Sequence, residues 1–526
     1  MANNKNNNTN YSNYINYNSF NYDNDDKGKV DPNNGGKKTG LVILAAVVFI
    51  VIIIILIIAI VFKPNSGNKQ NVVNEYNEVV ANIITQEVTN DPIVDNPEES
   101  FDRRYGKVDV IFLDKNDNII DIPSKPVVGD MKPVKFDERN KEFIDVEEKD
   151  PTWYDYANRK WANAINSDGS YFVWIPRFAY KITYYSSSSY SKAIGYSDAR
   201  GLIKIDTTND GQTSLTRIQT NSSSIKEIGN HYILAPAFMR DALNNYENGG
   251  WDVNISGFWV AKYEMSMEQN GKNVLTDSTN GNVKISKDIK AVSKPGVNSW
   301  RCITIGNAYY NGINYDKSKQ SHMVKNSEWA AVGYLANSQY GTNGEAILKN
   351  SNPGFYTGGA ENKFEIYYTN NKQSTTWNYT GVYDLSGGAR EFSPSFVDNG
   401  FNYIAEYGGT DTDMLYENNM STKFKTVYPH IVEDIGQIGT FSADLANGNY
   451  GLLANRRGDA MYEVSNNGFG VTGWFTSHSY MIQSDVPFLL RGTSAMDSIG
   501  SGTFSFNTTI GQANTSDGYR VCLVTE

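Results

Sequence analysis

Four aromatic side chains near the C-terminal end of the chain have the types and spacing of a ligand-contacting surface. Trp474, Phe475, His478 and Tyr480 lie within one short stretch, where Gly, Ser and Thr separate or flank them. Rigid aromatic rings among small polar residues are typical of antibody-like binding loops, because the rings supply contact area at low entropic cost. We predict that these four side chains contact a ligand, and residues 498–515 have a similar composition. The alternative is that the rings are partly buried in a tyrosine-rich core.

Cysteine and histidine are too scarce for most metal chemistry. The chain has two cysteines, Cys302 and Cys522, and four histidines. A cysteine-ligated zinc or iron–sulfur site needs three or four thiolates, so the sequence excludes such sites. No phosphate loop, H-E-x-x-H or G-x-S-x-G motif occurs. Acidic pairs such as 98–99 and 147–148 are interpreted as solvated charge rather than as a glycosidase pair.

The overall charge argues against a nucleic-acid partner. Lys and Arg number 47 and Asp and Glu number 58, which gives a net charge of −11. A nucleic-acid-binding protein normally carries a basic stripe. Hydrophobic residues make up 40% of the chain, so most of it can bury a core. We therefore expect a folded protein with no nucleic-acid partner.

The first hundred residues predict a membrane anchor. Residues 1–40 are rich in Asn and Tyr, with few aliphatic residues in most of the stretch, and predict a disordered cytoplasmic tail. Residues 41–62 are 22 apolar residues without charge, enough for a transmembrane helix of roughly 33 Å. More lysines precede than follow this stretch, so we expect a single-pass cell-membrane protein with its C-terminal domain outside the cell. Residues 63–100 predict a stalk.

The rest of the chain predicts a β-rich ectodomain. Residues 101–150 are interpreted as a small β subdomain or arm. From residue 151 onward, glycine and aromatic residues become frequent, and short apolar runs alternate with Asn/Ser/Gly loops. The clearest candidate elements are strands at 171–178, 257–264 and 518–524 and helices at 299–310 and 327–336.

Five groups of short motifs in this region occur in a recognisable order. They resemble those of the sulfatase-modifying-factor family, which comprises the formylglycine-generating enzymes and their non-catalytic relatives. The resemblance spans residues 257–524. It implies an α+β fold for residues 151–526, with a loop-rich C-type-lectin-like domain that has few helices. The matching segments are FWVAKYEMS (258–266), SWRC (299–302), MVKNSEWAA (323–331), YDLSGGAREF (383–392), and RGTS (491–494) with GYR (518–520).

Several motif residues are suited to holding irregular backbone in place. Asp384 and Glu391 flank the glycines at 387–388, so their carboxylates can accept hydrogen bonds from backbone N–H groups. Arg491 precedes a glycine and can pair with such a carboxylate through two hydrogen bonds. We predict structural roles rather than ligand contact for Trp259, Glu264, Trp329, Asp384, Glu391, Arg491 and Arg520.

The resemblance also implies a disulfide. C-type-lectin-like folds commonly join their first helix to their last strand in this way, and Cys302 and Cys522 match that placement. A compartment outside the cytoplasm permits the bond. The alternative is a pair of buried free thiols that act as small hydrophobic side chains.

The sequence departs from the family where its catalysis takes place. Formylglycine formation needs two cysteines between the RGTS and GYR segments, because thiolates bind the copper ion. Residues 495–517 contain no cysteine, so we expect no enzyme activity of this kind and no cofactor. Four scattered histidines do not support the iron site of the related sulfoxide synthases. The Glu-Pro-Asn and Gln-Pro-Asp motifs of calcium-dependent lectins are absent, and a structural calcium ion held by loop carboxylates stays open.

These observations lead to one hypothesis and two alternatives. The hypothesis is a membrane-anchored bacterial surface protein whose C-type-lectin-like ectodomain binds an extracellular protein or glycan without catalysis. The first alternative is a structural envelope protein that acts through its tail. The second is an enzyme of unrecognised type on the same scaffold. The sequence assigns no metal ligands and no oligomeric state.

Overall fold

A computed structural model describes most of the chain from Arg103 to Glu526. All described residues belong to one of two compact units, which spans Val94–Glu526. The described ranges are 103–185, 193–198, 201–207, 213–219, 226–229, 231–240, 250–347, 371–409, 423–431, 442–494 and 502–526.

The predicted membrane anchor requires a correction. No helix in these ranges is long and apolar enough to cross a membrane. The longest of them has 12 residues, which is about 18 Å, whereas a hydrocarbon layer is about 30 Å thick. This finding contradicts the predicted transmembrane helix and the predicted single-pass localisation. The segments predicted as tail, transmembrane helix and stalk, 1–40, 41–62 and 63–100, lie outside the described residues.

The predicted β-rich, helix-poor character is what the described residues have. They form many short strands and four α-helices. The strands are β1 Gly106–Leu113, β2 Ile119–Ile120, β3 Lys132–Asp137, β4 Glu142–Asp145, β5 Asn163–Ile165, β6 Tyr171–Pro176, β7 Phe178–Tyr185, β8 Ala193–Asp198, β9 Gly201–Thr207, β10 Thr213–Gln219, β11 Glu227–Ile228, β12 Tyr232–Leu234, β13 Gly257–Ala261, β14 Ser266–Gln269, β15 Lys272–Val274, β16 Ile289–Val292, β17 His322–Met323, β18 Arg390–Val397, β19 Thr426–Tyr428, β20 Phe488–Arg491, β21 Phe506–Thr509, β22 Asp517–Gly518 and β23 Val521–Leu523. The helices are α1 Ile305–Tyr315, α2 Asn326–Asn337, α3 Phe401–Tyr407 and α4 Ala443–Gly451.

The N-terminal strands are divided between two large sheets. The first has the order β10-β9-β8-β7-β1-β2, with β12 also paired to β7 and β11 to β12. The second has the order β17-β23-β13-β6-β5-β3-β4. Residues 101–150 were predicted as a small β subdomain or arm, and in the described part of this stretch β1 pairs with β7 and β3 pairs with β5. The strands of this stretch are therefore integral to the two large sheets.

The second sheet brings distant parts of the sequence together. Strand β13 lies between β6 and β23, with Trp259 opposite both Trp174 and Leu523. All five residues of β13 are buried, which is typical of a central strand covered on both faces. The last strand of the chain is thus paired inside a sheet.

Two smaller sheets complete the fold. One has the order β15-β14-β16. In the other, β18 pairs antiparallel with β20 and parallel with β19 and β22. A register irregularity interrupts the pairing of β18 with β20 between Phe392 and Phe396.

Helix α2 lies at the centre of the described unit. All twelve of its residues are buried, and it packs against β1, β6 and β18, which belong to three different sheets. A helix that is buried on every face is a core helix. Its start agrees closely with the predicted helix at 327–336.

Helix α1 begins later than predicted. The helix predicted at 299–310 starts at Ile305, and Thr304 caps it by accepting a hydrogen bond from the Asn307 N–H group. The N–H groups of Trp300 and Cys302 donate instead to backbone carbonyls elsewhere in the fold, at 2.7 Å in each case. These long-range hydrogen bonds keep residues 299–303 out of the helix.

Candidate functional site

The predicted contact residues lie on one loop, residues 465–480, which we call the aromatic loop. Trp474 is fully buried. Its indole N–H donates to the carbonyl oxygen of Arg103 at 2.6 Å, and its ring packs against Phe504 with centroids 5.0 Å apart. The prediction that Trp474 contacts a ligand is therefore wrong. Its ring anchors the loop because its polar edge finds a partner only in the interior.

The other three predicted rings remain partly exposed. Phe475, His478 and Tyr480 are half-buried, and the His478 and Tyr480 rings meet edge to face at 5.7 Å. Phe469 joins them, because its centroid is 5.2 Å from that of Tyr480. The sequence analysis missed Phe469, although its flanking glycines have the same binding-loop composition. Val471 on the same loop is 45% exposed.

The backbone of the aromatic loop is held in an unusual conformation. Phe475 has φ 53° and ψ 33°, and Thr476 has φ 65°, so two consecutive non-glycine residues are left-handed. The Ser477 hydroxyl donates to the Trp474 carbonyl at 2.6 Å, and the Gly473 N–H donates to the Ser477 carbonyl at 3.1 Å. Left-handed non-glycine residues persist only where the surroundings enforce them, and such residues cluster at functional sites.

The space beside Phe475 is a small cleft. Asn337, Thr503 and Phe504 line part of it, and its volume is about 10 Å³. A cavity of that volume holds about one water molecule, whereas pockets for small-molecule ligands usually measure ≈ 300–1,000 Å³. This cleft beside the aromatic loop is therefore too small to enclose a small-molecule ligand.

The motif residues of the resemblance form a separate, interior cluster. Arg520 is fully buried, and its Nε atom donates to both carboxylate oxygens of Glu391 at 3.0 Å. Its two Nη atoms donate to the carbonyls of Ala261 and Tyr383 at 2.9 Å. Burial raises the pKa of Glu391, and Arg520 opposes that rise. This guanidinium ties β13, β18 and the C-terminal segment together.

Arg491 plays a different part from the predicted one. The arginine that pairs with the Glu391 carboxylate is Arg520. Arg491 donates from Nη2 to the backbone carbonyls of Asp459 and Ala460 at 2.9 and 3.1 Å. Its backbone lies in β20 opposite Glu391, but the Glu391 side chain is taken by Arg520. Sequence order alone does not determine which of two buried arginines faces a given carboxylate.

Glu264 lies beside this cluster in a crowded acidic environment. It accepts a hydrogen bond from the Ala389 N–H group at 2.8 Å and another from the Ser299 hydroxyl. Burial and the nearby carboxylates of Asp384 and Glu391 raise the pKa of Glu264 well above its usual range. Gly388 has φ 64°, and a Cβ atom there would collide with the Glu264 carboxylate. The turn therefore requires glycine at that position.

The seven motif residues are mostly inaccessible to a ligand. Asp384 is half-buried and the other six are buried. The indole N–H groups of Trp259 and Trp329 donate to backbone carbonyls at 2.7 Å. These contacts are those expected of structural residues.

The predicted disulfide is not formed. Cys302 and Cys522 are both buried free thiols. Cys522 lies in β23, paired with Val260 on one side and His322 on the other. Cys302 lies before α1 with φ 58° and packs against Gly281. Each thiol fills its own place in the core, so the alternative of two free thiols describes the molecule.

A second interior cluster contains three side chains of metal-ligand type. Among the described residues, His322, Glu328 and Cys522 form the group whose potential metal-ligand atoms all lie within 4.8 Å of one another. The His322 Nε2 atom is 3.0 Å from both Glu328 carboxylate oxygens, and Nδ1 is 2.7 Å from the carbonyl of Gln320. Both ring nitrogens of His322 therefore already have hydrogen-bond partners within the protein.

Two basic side chains, His322 and Lys325, already pair with the Glu328 carboxylate. Lys325 Nζ is 3.4 Å from the Glu328 carboxylate and 3.8 Å from the centre of the Trp251 ring. Burial raises the pKa of Glu328, but His322 and Lys325 outweigh it and lower that pKa to about 2. Burial and Glu328 raise the pKa of the Cys522 thiol well above its usual range. The donor set fits an ion-paired helix cap better than a metal centre, and its single carboxylate is a poor set for calcium.

No protein-family model matches this chain, and no curated protein matches it. The resemblance to the sulfatase-modifying-factor family stays a prediction that the motifs carry.

Proposed function

We propose that this chain is a non-catalytic binding protein whose aromatic loop contacts a protein or glycan ligand. The observation that carries the proposal is the group of partly exposed rings, Phe469, Phe475, His478 and Tyr480, on a loop anchored by the buried Trp474. We also propose that the domain is a non-catalytic relative of the sulfatase-modifying-factor family, since the catalytic cysteine pair is missing.

The rigidity of the loop supports a role in binding. A ligand that meets an already ordered surface does not have to order it, so more of the contact energy appears as affinity. The left-handed backbone at Phe475 and Thr476 costs folding energy. A binding surface gives a reason for retaining that strain. Aromatic side chains are also enriched among residues that dominate binding energy.

The loop's composition indicates the chemistry of the ligand face. No Asp, Glu, Lys or Arg occurs between residues 465 and 484. An uncharged aromatic surface provides no strong attraction for phosphate, sulfate or carboxylate groups. We therefore expect the contacted face of the ligand to be uncharged, as in a neutral oligosaccharide or an apolar peptide segment.

The proposal is tested with the full-length chain on arrays of neutral oligosaccharides, acidic oligosaccharides and peptides. The test variant combines Phe475→Ala with Tyr480→Ala. The control variant combines Phe136→Ala with Tyr379→Ala, another half-buried Phe and Tyr whose rings stack at 4.0 Å elsewhere in the fold.

We expect saturable binding to a small set of uncharged array members. The test variant should lose this binding, and the control variant should retain it. Equal binding by the wild-type chain and the test variant would refute the proposed surface. Binding confined to acidic members would refute the expected ligand chemistry.

A further inference from the structure

We infer that Arg103 is the positioning residue of the aromatic loop. This inference rests on the proposed function for its biological meaning. Arg103 is 4% exposed and lies more than 360 residues before the loop in the sequence. It touches no partly exposed ring directly. It acts through the two backbone segments on which the rings are mounted.

The first segment is the base of the loop at residues 465 and 466. Arg103 Nε donates to the Ser465 carbonyl at 2.9 Å, and Nη2 donates to the Asn466 carbonyl at 3.4 Å. The Arg103 backbone N–H donates to the Asn466 side-chain oxygen at 2.7 Å. Tyr450 also holds the base of the loop, because its hydroxyl donates to the Ser465 carbonyl at 2.7 Å.

The second segment is the turn that bears Phe475. The Arg103 carbonyl accepts the hydrogen bond from the Trp474 indole, and Trp474 is the residue just before the left-handed pair. A Cβ atom on Gly106 would lie 2.7 Å from the Trp474 ring. The strand that follows Arg103 therefore packs closely against the same anchor.

The contacts of the guanidinium require arginine, whereas the Arg103 backbone N–H and carbonyl would make theirs with any side chain at this position. The guanidinium stacks over the Tyr462 ring at 3.9 Å from the ring centre while its fork reaches two carbonyls. A lysine keeps the positive charge and can lie over a ring, but its ammonium cannot span the two acceptors in a fixed plane. Arg103→Lys should therefore keep only part of the side-chain contacts to the base of the loop, and Arg103→Met should lose them.

Hydrogen exchange of the full-length chain tests this role without any ligand. The matched control is Arg177→Met. Arg177 is also buried, pairs with Asp117 and donates to the backbone carbonyl of Ile255 at 3.2 Å, and both of these partners lie outside the aromatic loop. We expect amides of residues 466–478 to exchange at least tenfold faster in Arg103→Met than in wild type. Arg103→Lys should lie between them, and Arg177→Met should leave these amides unchanged.

Two results would overturn the inference. One is unchanged exchange of the loop in Arg103→Met. The other is faster exchange spread equally over the whole chain, since that would make Arg103 a general stability residue. Affinity for the best member of the oligosaccharide and peptide arrays is measured in parallel. A loosened loop in Arg103→Met with no array binding by wild type would support the positioning role and refute the proposed function.

Discussion

The Arg520 cluster and the aromatic loop arrange their side chains in opposite ways. In the cluster, Arg520 and Glu391 are buried and joined by hydrogen bonds, and the guanidinium also holds two backbone carbonyls. In the loop, Phe475 and Tyr480 stay partly exposed on a left-handed turn without nearby charge in the sequence. The difference teaches that the recognisable motifs of this chain maintain the fold. The proposed contact with a ligand depends on residues outside those motifs.

The largest expected effect is the loss of stability when Arg520 is replaced. Arg520→Met removes the cation and leaves Glu391 buried beside Glu264, so we expect a loss of about 3–5 kcal/mol in the free energy of unfolding. Urea denaturation of the full-length chain measures this loss. Exposed Arg139→Met serves as the control and should change stability by less than about 0.5 kcal/mol. A loss below about 1 kcal/mol for Arg520→Met would contradict the structural role.

The next effect is a loss of stability in acid that depends on Glu328. Its pKa is about 2 in the folded chain and ordinarily 4.5, so the unfolded chain binds the extra proton first as the pH falls. The stabilising contribution, roughly 3 kcal/mol, is present above pH 4.5 and is lost between about pH 4.5 and pH 2. Glu264, whose pKa is raised, acts in the opposite direction.

Urea midpoints measured from pH 6 to pH 2 test this difference. Glu328→Gln should be less stable than wild type at pH 6, and its urea midpoint should fall less steeply as the pH is lowered. If the urea midpoints of the two proteins fell equally steeply with pH, Glu328 would not be the source of the loss of stability in acid.

A smaller effect separates the loop anchor from other buried tryptophans. Trp474→Phe removes the hydrogen bond to the Arg103 carbonyl and should cost about 1–2 kcal/mol of stability. Trp300→Phe is the matched control, because its indole also donates to a backbone carbonyl, that of Gly281 at 2.8 Å. The two variants should lose similar stability, but Trp474→Phe alone should weaken array binding. If the Trp474→Phe and Trp300→Phe variants bound the array equally well, the ligand would bind outside the aromatic loop.

The smallest expected effect concerns the cysteines. Because Cys302 and Cys522 are free, a reductant should leave the thermal midpoint unchanged. Thiol titration of the urea-unfolded chain without reductant should give two reactive groups per molecule. No reactive thiols and a lower midpoint with reductant would restore the disulfide predicted from the resemblance.

Patterns local in sequence predicted much of the fold. The continuous apolar runs correspond to β6 and β13, and the helix predicted at 327–336 corresponds to α2. The start of α1 was wrong because long-range hydrogen bonds from the Trp300 and Cys302 N–H groups hold these residues in a non-helical backbone. The predicted transmembrane helix lay at residues 41–62, and the correction rests on the finding that no helix in the described part of the chain is long and apolar enough to cross a membrane.

The candidate site was predicted in composition but not in orientation. Aromatic residues among glycines marked the loop, but no local signal distinguishes the buried Trp474 from the half-buried Phe475 beside it. That distinction depends on the Arg103 carbonyl, which lies 371 residues away in sequence. The partners of Arg491 and Arg520 are likewise set by strand pairing across the fold.

The central claim is that the exposed rings of the aromatic loop bind the ligand. The most direct measurement is a titration of the full-length wild-type chain, the Phe475→Ala/Tyr480→Ala variant and the Phe136→Ala/Tyr379→Ala control with the best array member. If both loop rings are hot spots worth about 2 kcal/mol or more together, the loop variant binds at least about 30-fold more weakly, and the control binds like wild type. Equal affinities for all three folded proteins would contradict the claim.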